Sequence, residues 1–463
     1  MKVYLLSVFL ILIASVSAGS SPKPNVLLIY VDDLGYGDLG CYGHPVIQTP
    51  HLDQLASEGI KFTQHYAPSA LCSPSRAALL TGRTPYRTGI KSWIPQDSGV
   101  YLRKEEITLA EIFKDAGYAT ALIGKWHLNS DLGNANEPQP KDHGFDYAYG
   151  ANAFQIPTNR NPTNFYRNGV ALGEVEGFTA QLCADESIQW LEKTQEASDT
   201  PFFLYLAMCE PHTTIENPDA YNAMYADYTE GEIIPIPSGG PIPIDLLNPR
   251  GPGEYYANIT YMDHQIGRVL DALERLELEK NTMVVFASDN GPVTANWRTW
   301  WEVNAYGETG GYRGRKHGLY EGGLRVPAFI RYPPTITAGS ETNAPSIGMD
   351  LFVTILKQAG LAVPDDRAID GIDLSPLFRN EAIPAERQFF WALPTDDGKD
   401  YVYREGDWKL ILNTEREPIE LYDLSKDPLE FFDILEKEPI KSKQLTAGFQ
   451  TYYSSILEDP LKP

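Results

Sequence analysis

Asn25-Val26-Leu27-Leu28-Ile29-Tyr30-Val31 is an unbroken apolar run that ends on Asp32-Asp33-Leu34-Gly35. A strand exposed on one face would alternate. A run apolar at nearly every position fits a strand covered on both faces, as in parallel sheets flanked by helices. In open sheets of that kind, ligands gather at the carboxyl ends of the strands. The adjacent carboxylates Asp32 and Asp33 fall at such an end. Like charges side by side repel, so the pair is either solvated or shared by a cation.

Outward from this strand the same grammar repeats. Residues 49–59 read as an amphipathic helix closed by Gly59, residues 60–63 as a strand, and residues 108–116 as a helix capped by Thr108. Residues 119–123 form a strand that runs into Gly124-Lys125-Trp126-His127-Leu128. Lys125 and His127 are two positions apart, so on an extended segment both point the same way. Residues 142–177, rich in Gly, Asn, Pro and aromatics, lack periodicity and read as irregular. Residues 179–193 read as a helix, followed by a buried strand at 202–207 that ends near Glu210-Pro211-His212-Thr213. After a Pro/Gly-rich loop at 235–252, residues 254–276 form a long helix with a core stripe of Ile259, Met262, Ile266, Val269, Leu270 and Leu273. Within it, Asn258-Ile259-Thr260 has the spacing of a glycosylation acceptor, a short pattern that is usually silent. The strand at 282–287 ends in Ser288-Asp289-Asn290-Gly291, a second acidic strand end.

Trp297, Trp300, Trp301, Tyr306 and Tyr312, interleaved with Arg298 and Glu302, fit two readings. They stack on sugar rings, or they pack against the C-terminal part of the chain. Residues 350–359 form a helix. Beyond residue 387 the texture changes to short strands at 389–393, 401–404, 408–412 and 420–423 and a terminal helix. Strand–helix alternation followed by short strands defines an α/β fold with a large, mostly parallel sheet between helices and a smaller C-terminal antiparallel sheet. The expected units are residues 1–18, 19–386 and 387–463.

The 463 residues carry 38 Lys and Arg against 62 Asp and Glu, a formal charge of −24. Over its whole surface such a chain repels nucleic acid; local basic clusters are needed to hold an anion. Lys2, the apolar stretch 3–14 and Val16-Ser17-Ala18 read as an export signal cleaved before Gly19. No stretch approaches the length of a membrane anchor, so the expectation is a periplasmic or secreted protein. Cys41, Cys72, Cys183 and Cys209 are too few for a disulfide scaffold, and at most one pair is expected if Cys72 is chemically special.

Ser69-Ala70-Leu71-Cys72-Ser73-Pro74-Ser75-Arg76-Ala77-Ala78-Leu79-Leu80-Thr81-Gly82-Arg83 is the most distinctive stretch. Pro74 disfavours helix at Ser73, so the helix is expected to begin near Pro74 or Ser75, with the thiol at its mouth. A helix end beside Arg76 attracts anions and lowers a thiol pKa.

Cys72-x-Pro74-x-Arg76 followed by Leu79-Leu80-Thr81-Gly82 resembles the signature of the type I sulfatases, whose Cys is oxidised to formylglycine. The resemblance extends in family order over nearly the whole chain after residue 18. It takes in the Asp32-Asp33 strand end, Gly124-Lys125-Trp126-His127, Pro211-His212, Asp289-Asn290 and Gly314-Arg315-Lys316 with Tyr320-Glu321-Gly322-Gly323. It implies an alkaline phosphatase-like fold and a metal site of Asp32, Asp33, the modified Cys72, Asp289 and Asn290. That site would hold Ca²⁺, with Mg²⁺ second, as the all-oxygen donor set also favours. It further implies sulfate contacts from Arg76, Lys125 and Lys316, with His127 assisting formylglycine and His212 protonating the leaving group. Arg315 stands where many members have a small residue, and the sequence departs loosely around His212. The expected substrate is a sulfated oligo- or polysaccharide, such as a marine galactan of the carrageenan type or a glycosaminoglycan, with a formylglycine-generating or sulfatase-maturing enzyme as a further partner. The competing readings are a phosphodiesterase or phosphonate hydrolase of the same superfamily and a non-catalytic binder of sulfated glycans.

Overall fold

The computed structural model describes residues 23–197, 200–228, 251–293, 306–395 and 397–461. The export-signal stretch, Trp297, Trp300, Trp301 and most of the 235–252 loop lie outside the described residues.

In chain order the strands are β1 (Asn25–Val31), β2 (Ile60–Phe62), β3 (His65–Tyr66), β4 (Ala119–Gly124), β5 (Tyr147–Gly150), β6 (Phe165–Arg167), β7 (Val170–Gly173) and β8 (Phe202–Ala207). They continue with β9 (Thr282–Ser288), β10 (Ala328–Arg331), β11 (Ser340–Thr342), β12 (Ser346–Ile347), β13 (Gln388–Ala392), β14 (Tyr401–Glu405), β15 (Trp408–Leu412) and β16 (Pro418–Asp423). The helices are α1 (Pro50–Ser57), α2 (Cys72–Thr81), α3 (Pro85–Thr88), α4 (Leu109–Asp115), α5 (Thr179–Ala197), α6 (Asp219–Met224), α7 (Pro252–Arg275), α8 (Glu321–Leu324), α9 (Gly348–Gln358) and α10 (Pro439–Leu457).

A 10-stranded sheet runs β11-β2-β10-β9-β1-β8-β4-β5-β6-β7. Its centre, β9-β1-β8-β4-β5, is parallel, while β10 and β6 run against their neighbours. The unbroken apolar run of β1 has the expected cause. Val26, Leu28 and Tyr30 face one core with α2, α4 and α9, and Leu27, Ile29 and Val31 face the other with α1, α5 and α7. Each such side chain contributes roughly 2 kcal/mol on burial. Thr108 caps α4 in a reciprocal box with Glu111.

The second sheet, β13-β14-β15-β16, is antiparallel. One face is covered by Leu445, Phe449 and Ile456 of α10. On the other, Phe389, Trp391, Val402, Ile411 and Tyr422 pack on Tyr66, Ala70, Leu71, Leu319 and Leu324. This smaller sheet therefore braces the segments leading into Cys72 and out of Lys316.

One expectation is corrected, and two open points are closed. The stretch 142–177 is not wholly irregular: β5, β6 and β7 extend the sheet edge, too short to show a period. Asn258 is buried within α7 and donates to Asn217 Oδ1 at 2.8 Å, which closes it to a glycan. All four cysteines are free thiols, with no disulfide pair. Among the described residues, no helix is long and apolar enough to cross a membrane.

Candidate active site

The neighbouring parallel strands β9, β1, β8 and β4 end side by side, and chemistry-bearing residues follow each. Asp289 and Asn290 follow β9, Asp32 and Asp33 follow β1, His212 lies in the turn beyond β8, and Lys125 and His127 follow β4. The ends come unusually close. Gly124 sits at φ 109°, and a Cβ there would lie 1.9 Å from the Ala207 carbonyl oxygen, so only glycine fits. The Lys125 amide then bonds that carbonyl at 2.7 Å.

The carboxylates converge. Candidate ligand atoms of buried Asp32, Asp33 and Asp289 lie within 4.8 Å of one another. Asp33 is held in the left-handed region (φ 66°), its amide donating to Asp289 Oδ1 at 3.1 Å. Such strain in a non-glycine residue persists only where its surroundings over-determine it. Three buried cations answer the three acids. Arg76 grips Asp289 Oδ2 through Nε and Nη2 (3.1 and 2.8 Å), Lys125 Nζ reaches Asp32 Oδ2 (2.5 Å), and Lys316 Nζ reaches Asp33 Oδ1 (2.6 Å). Burial alone would raise the Asp32 carboxyl, but Lys125, His212, Arg76 and Lys316 hold it well below its ordinary value. Asp289 moves the other way, to about 7, because burial and then Asp32 both disfavour its charge.

Two oxygens remain over. Asp32 Oδ1 and Asn290 Oδ1 are buried without a hydrogen-bond partner, and Asn290 Nδ2 donates to Asp33 Oδ1 at 2.7 Å. Unsatisfied hard oxygens beside clustered carboxylates are what a divalent cation of the Ca²⁺ or Mg²⁺ kind fills, so the residues fit such an ion. The Cys72 sulfur stands outside this 4.8 Å set and faces His127 instead.

Helix α2 begins at Cys72 itself, not near Pro74, with Leu71 extended ahead of it (φ −144°, ψ 150°). Pro74 falls in the first turn, where a missing N–H costs nothing. The helix end and Arg76 do not activate the thiol. Burial pushes the Cys72 thiol up; Lys125 and Lys316 pull it down, but Asp32 and Asp289 act against them. The bare thiol is a poor nucleophile here.

His127 sits 3.2 Å from the Cys72 sulfur through Nδ1, and its Nε2 lies 3.1 Å from the Ile94 carbonyl oxygen. A carbonyl only accepts, so Nε2 carries the hydrogen and Nδ1 presents its lone pair to Cys72. Burial, then Lys125, keeps the His127 pKa well below its ordinary value, which leaves a neutral base. The expected extended segment is corrected: His127 has φ 54°, and this left-handed turn brings it to the site. His212 is assigned by the same logic. Its Nδ1 donates to the Thr213 carbonyl at 2.7 Å, and Nε2 faces Asp33 Oδ2 at 3.7 Å. Arg315 turns toward the end of β9, donating to the Val293 carbonyl at 3.1 Å.

Some members of the site escaped the sequence reading. Ser73 Oγ accepts from the Ile94 amide at 3.1 Å, which sets the carbonyl that fixes the His127 tautomer. Ser75 ties back to both backbone groups of Ser69 at 3.0 Å. Both serines lie in the Cys72 stretch, and their small hydroxyls before a helix were the available signal.

Residues 24–361 match the sulfatase family, and residues 307–451 match the C-terminal region of N-sulphoglucosamine sulphohydrolase. The chain belongs to the sulfatase family and is a sulfuric ester hydrolase of the alkaline phosphatase-like fold. It is 33% identical over 443 residues to human (Homo sapiens) steryl-sulfatase, covering 84% of this chain and 75% of that one. It is 35% identical over 383 residues to N-acetylgalactosamine-6-sulfatase of Canis lupus familiaris, covering 78% and 67%. The crystal structure of Ps i-CgsB with k-i-k-neocarrahexaose superposes with a TM-score of 0.79 at 25% identity, covering 93% of this chain and 92% of that one. The phosphonate monoester hydrolase of Agrobacterium radiobacter shares the fold, with a TM-score of 0.66 at 21% identity over 94% and 95%.

Proposed function

We propose that this sulfatase acts on a sulfated carbohydrate, a galactan of the carrageenan type or a glycosaminoglycan, through a formylglycine made from Cys72. The observation that carries the reading is the bare Nδ1 of His127, aimed at Cys72 from 3.2 Å. The saccharide class draws support from Ps i-CgsB, solved with k-i-k-neocarrahexaose, and from the similarity to N-acetylgalactosamine-6-sulfatase.

Asp32, Asp33, Asp289 and Asn290 would hold the cation, Ca²⁺ ahead of Mg²⁺, and a bound cation supplies positive charge toward the sulfate oxygens. The three carboxylates and the cations Arg76, Lys125 and Lys316 balance one another. A divalent ion therefore leaves the site positive, which suits an anionic ester inside an acidic protein. Hydrated formylglycine supplies one hydroxyl that attacks sulfur and a second whose deprotonation re-forms the aldehyde and expels sulfate. Burial lowers the His212 pKa while Asp32 and Asp33 favour its charge; with Nδ1 already carrying a hydrogen toward Thr213, it is the imidazolium that gives an Nε2 proton to the ester oxygen as the sulfur–oxygen bond breaks, so the alcohol leaves neutral. His127 Nδ1 takes the proton of the second hydroxyl. A thiol has no second hydroxyl, so an unmodified Cys72 would stall after the first transfer.

Export to the periplasm or outside the cell, and a maturing enzyme that oxidises Cys72, complete the proposal. The test is desulfation of a panel of defined carrageenan and glycosaminoglycan oligosaccharides, with phosphate esters and phosphonates in parallel. Sulfate release from a saccharide is expected. Turnover of phosphorus esters alone, or of aryl sulfates alone, would overturn the saccharide reading.

A further inference from the structure

Phe154 is 43% exposed and yet it is not idle surface. Its ring lies nearly parallel to the His212 imidazole, at 10° with centroids 6.1 Å apart, in the range of offset stacking. The residues around it stitch the same two segments together. Gln155 Nε2 donates to the His212 carbonyl (3.4 Å) and to Asn159 Oδ1 (2.6 Å). The Asn159 amide donates to the Thr214 carbonyl at 3.0 Å, and its Nδ2 donates to Glu210 Oε1 at 3.0 Å. Glu210 is itself buried, two residues before His212. Asn164 closes the loop, donating to the Phe154 carbonyl at 2.7 Å and accepting from the Ile156 amide at 3.0 Å.

These contacts divide the work. The Gln155–Asn159–Glu210 chain fixes the backbone of the His212 turn. The Nδ1 bond to Thr213 ties one edge of the ring, which leaves its faces to be held by packing. Phe154 closes one of its faces. We infer that Phe154 is a positioning residue for His212, holding the imidazole so that Nε2 meets the leaving oxygen. The inference rests on the proposed role of His212 as proton donor.

A misplaced donor harms a poor leaving group most, because a good one departs without help. The test compares 4-nitrophenyl sulfate with phenyl sulfate, alike in shape but unlike in leaving-group basicity. Phe154→Ala is expected to lower kcat on phenyl sulfate about tenfold more than on 4-nitrophenyl sulfate. Phe154→Tyr, which keeps the ring, is expected to restore the wild-type ratio, and thermal unfolding should be close to wild type for both variants. An equal loss on both esters, no loss, or a selective loss that Tyr does not restore would overturn the inference. If the wild type itself turns over neither ester nor any saccharide sulfate, the proposed function falls instead, which is a separate result.

Discussion

Two sets of buried charges sit near one another and behave differently. At the strand ends, Asp32, Asp33 and Asp289 face Arg76, Lys125 and Lys316. Under the C-terminal sheet, Glu321 and Glu430 face Lys409 and Arg404. Lys409 Nζ reaches Glu321 Oε1 at 3.0 Å and Glu430 Oε1 at 2.7 Å, and Tyr66 bridges Arg404 to Glu321 Oε2 at 2.5 and 2.7 Å. The Glu321 amide donates to Glu430 Oε2 at 2.6 Å. In this second set each carboxylate oxygen has an ammonium, hydroxyl or amide within 3.0 Å, and the set closes on itself. At the strand ends Asp32 Oδ1 has only Arg76 Nη2, at 3.7 Å, and neither it nor Asn290 Oδ1 has a hydrogen-bond partner. Buried charge alone therefore does not mark a functional site. Nor does left-handed backbone, which Glu430 (φ 59°) shares with Asp33 (φ 66°); oxygens left without a close donor do.

The comparison breaks if the two sets respond alike. The largest effect on turnover belongs to Cys72→Ala, expected to cost more than about a thousandfold while thermal unfolding moves by only a few degrees. A loss of turnover matched by a collapse in stability would place Cys72 with the structural set. Next, stripping divalent cations with a chelator should cut turnover on the order of a hundredfold and lower the unfolding temperature. Calcium should restore both; unchanged values would contradict the oxygen-ligand reading. The second set should do the reverse. Lys409→Met removes the ammonium that Glu321 and Glu430 share and should cost about 3–5 kcal/mol of stability, read by denaturant unfolding, with turnover per folded molecule nearly intact at low temperature.

The smallest effect concerns His65, beside Tyr66 in the same seam. Burial, then Arg387, lowers its pKa from 6.5 to about 3. A group depressed in the folded state is neutral there and charges first in the unfolded chain. Its stabilisation is full above pH 6.5 and is lost as pH falls toward 3. His65→Gln should flatten the loss of stability over that acid window without altering the wild-type substrate preference. An unchanged slope would remove His65 from the account.

Much of this was legible from residues alone, and for a physical reason. The apolar run of β1 and its acidic end, Lys125 after β4 and Asp289 after β9 follow from strand burial and from where open sheets place their ligands. What escaped depends on contacts between segments far apart in the chain. The Ile94 carbonyl sets the His127 tautomer across 33 positions, and Phe154 reaches His212 from a stretch with no period. The raised thiol pKa is not legible locally: a helix end and an arginine are local signs that point the other way, whereas its burial and the opposing Asp32 and Asp289 are not local.

The central claim is that Cys72 is a precursor rather than the nucleophile. Its most direct test is mass spectrometry of the Cys72 peptide from protein that releases sulfate. The account predicts a residue that has lost sulfur and two hydrogens and gained one oxygen, in a fraction that tracks specific activity across preparations. Full sulfate release by protein whose Cys72 peptide carries only the intact thiol would contradict it.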